Sequence, residues 1–226
     1  MNHMCFSLLM VTAVASLAQP RFEGTIESKN TTIDEWGNLQ HFTMTMFAKG
    51  DKLRIENSSI GGQPGSIMIY RSDMKVVWML NDEDKTYLEI RQEQQPEAIH
   101  PPAGQATKQP SVQRTGKKKE VLGYPCERVV VSGEGMETEI WATKSLGQIY
   151  SIISRVVGAD NEPGGGEWEN TMIKMGYFPL ISTSKLDGKV VESQEVTGIH
   201  KKSLDDHLFE LPEGYRKQAV DRGDRE

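Results

Sequence analysis

Two neighbouring segments, Ile67-Met68-Ile69-Tyr70 and Val76-Val77-Trp78-Met79-Leu80, are apolar at every position. Both have the length and the β-branched or aromatic content of strands. An antiparallel strand is apolar on both faces only where something covers each side. The chain is therefore expected to build a sheet that is buried on both faces at this point.

The flanking sequence supplies further strands. In Phe42-Thr43-Met44-Thr45-Met46-Phe47 large residues alternate with threonine as far as Met46, the pattern of a half-buried strand. A turn at Lys49-Gly50-Asp51-Lys52 leads into Leu53-Arg54-Ile55-Glu56, and the pair reads as a hairpin. Phe22 to Ser28, Thr86 to Ile90, Glu120 to Leu122, Glu127 to Val131, Thr138 to Ala142, Leu180 to Lys185 and Val190 to Ile199 continue an antiparallel meander. After Ser145 the period changes. Leu146, Ile149, Tyr150, Ile153, Val156 and Val157 recur at helical steps, Gly164-Gly165-Gly166 interrupts them, and Trp168, Met172 and Met175 suggest a second short helix. The expected fold is mainly β (α+β): a curved antiparallel sheet or incomplete β-barrel with a helical insertion covering its concave face.

The ends and one internal stretch stand apart. Cys5 to Leu17 is uncharged and mostly apolar, too short to span a bilayer, and closes on Ser16-Leu17-Ala18, so residues 1–18 are expected to be a signal peptide. The protein would then be exported, to the periplasm or the cell surface, with one cysteine, Cys126, acting as a small buried hydrophobe. Residues 19–215 are expected to form one domain. Gln92 to Thr115, rich in Gln, Pro and Ala, reads as a mobile loop, and Arg216 to Glu226 as a disordered tail. The net charge of −6 and the lack of a basic, aromatic-laced stripe exclude a nucleic-acid partner. Membrane contact is expected to be peripheral at most.

No motif carries chemistry. His41, His100, His200 and His207 sit in no nucleophile–base arrangement, and there is no Gly-x-Ser-x-Gly. Asp205-Asp206-His207 reads as a capped turn before a closing strand. His41, Met44 and Met46 on one strand have the softness that Cu(I) favours, but a methionine-rich apolar face is the preferred reading. Asn81 to Asp84 lacks the spacing of a calcium loop, and Lys117-Lys118-Lys119 reads as a solvated hairpin. No catalytic residue, no metal and no cofactor is expected, and the protein is read as a non-enzyme.

Six segments together resemble a known family. They are Phe22-Glu23-Gly24-Thr25-Ile26, Lys49-Gly50-Asp51-Lys52-Leu53-Arg54, Leu122-Gly123-Tyr124-Pro125-Cys126-Glu127, Thr138-Glu139-Ile140-Trp141-Ala142-Thr143, Gly176-Tyr177-Phe178-Pro179-Leu180 and Leu204 to Pro212. Their order and spacing resemble an uncharacterised bacterial envelope family, domain of unknown function 4412. More loosely the pattern is similar to the outer-membrane lipoprotein carriers, whose fold is an incomplete β-barrel closed by helices around an apolar cavity. That resemblance implies a sheet–helix cavity for a lipid or other apolar group, and no catalytic residues to carry over. By alternation and helix period its expected lining is Met68, Tyr70, Trp78, Leu80, Ile149 and Ile153. The alternative is a structural or assembly component that docks an envelope protein partner through a sheet edge or the Gln92 to Thr115 loop.

Overall fold

A computed structural model describes residues 21–91, 111–133, 135–150, 152 and 172–218. Its strands are β1 Glu23–Ile33, β2 Leu39–Lys49, β3 Lys52–Asn57, β4 Ser66–Arg71, β5 Val76–Asn81 and β6 Thr86–Arg91. They continue as β7 Ser111–Val121, β8 Tyr124–Gly133, β9 Met136–Thr143, β10 Phe178–Leu186, β11 Lys189–Lys201 and β12 Arg216–Lys217. All twelve join one sheet in the order β12-β6-β5-β4-β3-β2-β1-β11-β10-β9-β8-β7. Two meanders, β1 to β6 and β7 to β11, are sewn together where β1 pairs with β11. Every pairing is antiparallel except that of β12 with β6. Because β7 and β12 end the order without meeting, the sheet is not closed into a barrel.

The expected segments fall in or beside strands, most of which run further than expected, and two stretches read as irregular prove to be strand. Ser111 to Thr115 belong to β7 rather than to a loop. Their side chains are mostly exposed, so apolar patterning could not mark them; backbone pairing to β8 (Ser111 opposite Ser132, Arg114 opposite Val129) holds them instead. Arg216 and Lys217 form β12 rather than opening a disordered tail. Arg216 N donates to Lys85 O at 2.9 Å and Gln218 N to Tyr87 O at 2.8 Å. The expected signal peptide, residues 92–110 of the expected loop and residues 219–226 of the expected tail lie outside the described residues.

Both faces of the sheet are covered. The broader cluster runs from Ile26, Met46, Leu53, Ile55, Tyr70 and Val77 across to Val129, Ile140, Phe178 and Leu180. Leu146, Ile149, Tyr150, Ile152 and Met172, all outside the strands, join that cluster, and the Tyr150 and Phe178 rings lie 5.2 Å apart. Among the described residues of this region, 148–150, 152 and 172–175 are α-helical. On the opposite face, Ile69, Val76, Trp78 and Leu80 pack under Leu204 and Phe209. The segment from Leu204 to Tyr215, with a short 3-10 helix at Asp206–Phe209, thus crosses this face as a strap.

Two close approaches explain local sequence. A Cβ at Gly24 would stand 2.1 Å from His200 O, so only glycine lets β1 lie this close to β11. A Cβ at Gly147 would stand 2.1 Å from Gly176 O, which presses the 144–147 turn against the segment entering β10.

Candidate functional site

The register of β4 and β5 decides which residues can share a wall. Ile69 stands opposite Trp78, and Tyr70 opposite Val77. Directly opposed residues point to the same face. Met68 and Tyr70 therefore lie on the broad face, in or against the cluster that holds Ile149. Trp78 and Leu80 lie on the strap face. Ile153 falls outside the described residues. The expected lining is thus split between two faces, and Trp78 and Leu80 are packing residues under the strap.

Trp78 is fixed as well as buried. Its indole Nε1 donates to Glu89 Oε2 at 3.1 Å, while Lys217 Nζ and Arg91 Nε each donate to Glu89 Oε1 at 2.8 Å. The Lys217 hydrogen bond foremost, then those from Arg91 and Trp78, hold the Glu89 carboxyl down at about 2 against the opposing effect of burial. On the same face Arg54 Nη1 donates to Leu208 O and Arg71 Nη1 to Phe209 O, both at 3.2 Å. Asp206 accepts from Lys49 at 3.1 Å and Lys52 at 2.8 Å, and Asp205 caps the short helix through His207 N. Asp205-Asp206-His207 is the capped turn expected, and its contacts fasten the strap.

The broad face is not uniformly apolar. Register places Ile26, Met46, Ile55, Met68 and Met79 in one row and Ala48, Leu53, Tyr70, Val77 and Ile90 in the next. Toward the Ile33 end the same face of β1, β10 and β9 carries Ser28, Asn30, Ser182, Ser184 and Thr138, all buried. Thr138 Oγ1 donates to Ser184 Oγ at 3.1 Å, which donates to Glu192 Oε2 at 3.2 Å; Asn30 Nδ2 donates to Ser28 Oγ at 3.0 Å. This hydroxyl and amide band was not expected. Its signal, small polar residues at alternate positions of Ile181-Ser182-Thr183-Ser184, resembles that of an ordinary solvated face. His41 projects from β2 on the face opposite Met44 and Met46, since successive strand residues alternate. The three are not gathered as ligands.

At the other end of the sheet, where Phe22 and Lys201 lie, two cavities flank Ser145. One, of about 490 Å³, is lined by Arg21, Phe22, Tyr124, Leu146, Gln148 and Lys201 among others. The second, about 420 Å³, lies between the β7–β8 hairpin, Lys144 and Tyr177. There Tyr177 OH donates to Glu127, and Lys144 Nζ stands 5.1 Å from the centre of the Tyr177 ring. Cys126 lines its wall, with a thiol that burial pushes above its ordinary value. The first cavity has the size of a small-molecule site, and its apolar walls, Phe22 and Leu146, are themselves part of the broad-face core. It lies between the sheet end and the turn that leads into the helical residues.

A single open, mainly β sheet with a strap on one face and cavities at one end defines the class of protein. The model of the family described as "Domain of unknown function (DUF4412)" matches residues 22–215, and the chain belongs to that family. No curated protein matches it. Among solved structures it is similar to an uncharacterized conserved protein from Thermus thermophilus, at 14% identity and a TM-score of 0.47, over 87% of this chain and 90% of that one. It is also similar to PNGF-II, at 17% identity and a TM-score of 0.43, over 87% of this chain and 31% of that one. A third is a domain provisionally described as that of an outer membrane lipoprotein-sorting protein from Vibrio parahaemolyticus. There the identity is 6%, the TM-score 0.36 and the coverage 84% of this chain and 90% of that one.

Proposed function

We propose that the protein is an exported, non-enzymatic carrier that holds a lipid or other apolar group at the Phe22 end of its sheet. The observation that carries this reading is the cavity of about 490 Å³ whose walls Phe22, Tyr124 and Leu146 run into the broad-face core. Arg21 and Lys201 line it and would face an anionic headgroup, while Phe22, Tyr124 and Leu146 would hold the apolar part.

Native mass spectrometry of the chain from Gln19, followed by solvent extraction, tests the reading. Co-purifying lipid is expected. Ser145→Trp, at an exposed position shared by both cavities, should lower lipid occupancy by roughly tenfold with the fold intact, as expected when a bulky ring fills a pocket. Trp78→Ser should destabilise the sheet without a specific effect on occupancy. A clean apo mass, with no uptake of added phospholipid or fatty acid, would overturn the proposal.

A second reading, assembly with an envelope protein, rests on β7. Nine of its eleven residues are exposed, and among the described residues no strand pairs with its outer edge, an edge of the kind that adds a partner's strand. Lipid-free protein that binds an envelope partner and loses it when Val112 and Gln113 are both replaced by proline would favour that reading.

A further inference from the structure

The exposed large hydrophobic residues are unevenly placed. Met74 and Leu122 lie in turns at the Phe22 end, and Met79 lies on β5. Ile33, Trp36, Leu39, Val112, Met136, Leu186 and Val190 all lie at the opposite end. Register establishes this. Ile33 pairs with Leu39 at the β1–β2 tip, Leu186 with Lys189 at the β10–β11 tip and with Met136 at the β8–β9 tip, and Val112 with Val131 beside it. The tips are nearly level. The last β1–β11 pair is Thr32 with Glu192, one residue before β1 ends and three after β11 begins. They also touch: Asp187 N donates to Gly135 O at 3.2 Å. The seven strands from β2 to β7 in the sheet order put this rim at about 30 Å, at the usual inter-strand spacing.

Trp36 is the most prominent member, 78% exposed, with Leu39 beside it at 54%. Its loop is rigid. Asp34 Oδ1 accepts from Trp36 N at 3.0 Å and Asn38 N at 2.8 Å, and Oδ2 accepts from Asn38 Nδ2 at 3.2 Å and Gln40 Nε2 at 3.0 Å. One carboxylate therefore preorganises the tip and holds an indole out into solvent.

We infer that this rim is a membrane-contact edge, whose three hairpin tips insert Trp36, Ile33, Leu39, Met136, Leu186 and Val190 into the interfacial layer of a phospholipid bilayer. A protein partner of ordinary strength covers roughly 800 Å² per side. Adjoining tips ending a sheet offer a narrow row of side chains rather than such a surface, and a bilayer interface accepts a narrow row, tryptophan above all. Asp34, Glu35, Glu137 and Asp187 at these tips outnumber Lys185 and Lys189, and the chain carries −6. Attraction to anionic lipid therefore contributes little, and apolar insertion drives the contact. The inference is independent of the proposed cavity ligand: a rim that binds membranes and an empty cavity are compatible, as is the reverse.

Flotation with phosphatidylcholine vesicles tests it, using the chain from Gln19, which keeps all twelve strands. Folded protein should float with neutral vesicles, equally at low and at about 0.5 M salt, where surface electrostatics are screened within a few ångströms. Trp36→Ser together with Leu186→Ser should lower the partition coefficient by roughly tenfold or more, the scale of withdrawing large apolar side chains from an apolar phase. Met74→Ser with Leu122→Ser, 44% and 47% exposed at the other end, should leave it unchanged. Failure of the wild type to float, loss of flotation in salt, or equal loss in both double variants would overturn the inference.

Discussion

Glu89 is the residue on which the pH dependence of the strap face turns. Its carboxyl is lowered from an ordinary value near 4.5 to about 2, chiefly by the hydrogen bond from Lys217. A carboxylate whose folded value is depressed contributes stability that is complete above its unfolded value and is lost as the pH falls through the folded one. Urea unfolding between pH 4.5 and 2 should therefore show a steeper loss in the wild type than in Lys217→Met, where less of this contribution exists to be lost. Equal slopes would mean that the Lys217 contact does not act on folding. Trp78, which shares Glu89, also shows where sequence reading stops. That Ile67 to Tyr70 and Val76 to Leu80 are apolar on both faces was legible, and both faces are covered. Which residues share a face was not, because the turn at 72–75 sets Ile69 rather than Met68 or Tyr70 opposite Trp78. A change of one residue in that register would exchange the two sets.

At the scale of elements, the strap accounts for a motif whose role the sequence concealed. Leu204 to Leu208 was legible as a short turn, yet nothing there says that the adjoining Phe209 is buried in one cluster with Ile69 and Leu80. Phe209 is fully buried, so Phe209→Ala should cost about 3–5 kcal/mol in urea denaturation, the usual range for a deleted core ring. His207→Ala, at an exposed side chain beside it, should cost less than about 0.5 kcal/mol. β7 was missed over Ser111 to Thr115 for the opposite reason. An edge strand buries little, and its charges and its irregular register between Arg114 and Lys118 are the means by which edges resist unwanted pairing. The buried band from Ser28 to Thr138 was missed because small hydroxyl residues satisfy one another as readily inside a protein as they bind water outside it.

At the scale of the whole molecule, alternation and turn spacing made the antiparallel meander legible, while its order depends on a contact that local patterns cannot carry. β1, the first strand, pairs with β11, the last long one, across most of the chain's length. For a chain that emerges from the ribosome N-terminus first, the consequence is one of timing. The β1 to β6 meander can assemble early from near-neighbour contacts, but the second edge of β1 stays bare until residues 189–201 have followed. A product stopped after Leu186 should accordingly keep strand signal in far-ultraviolet circular dichroism yet aggregate at micromolar concentration, whereas one stopped after Lys201 stays dispersed far longer. The central seam of the sheet is thus also its last stitch, and escape from any holding factor has to wait for it.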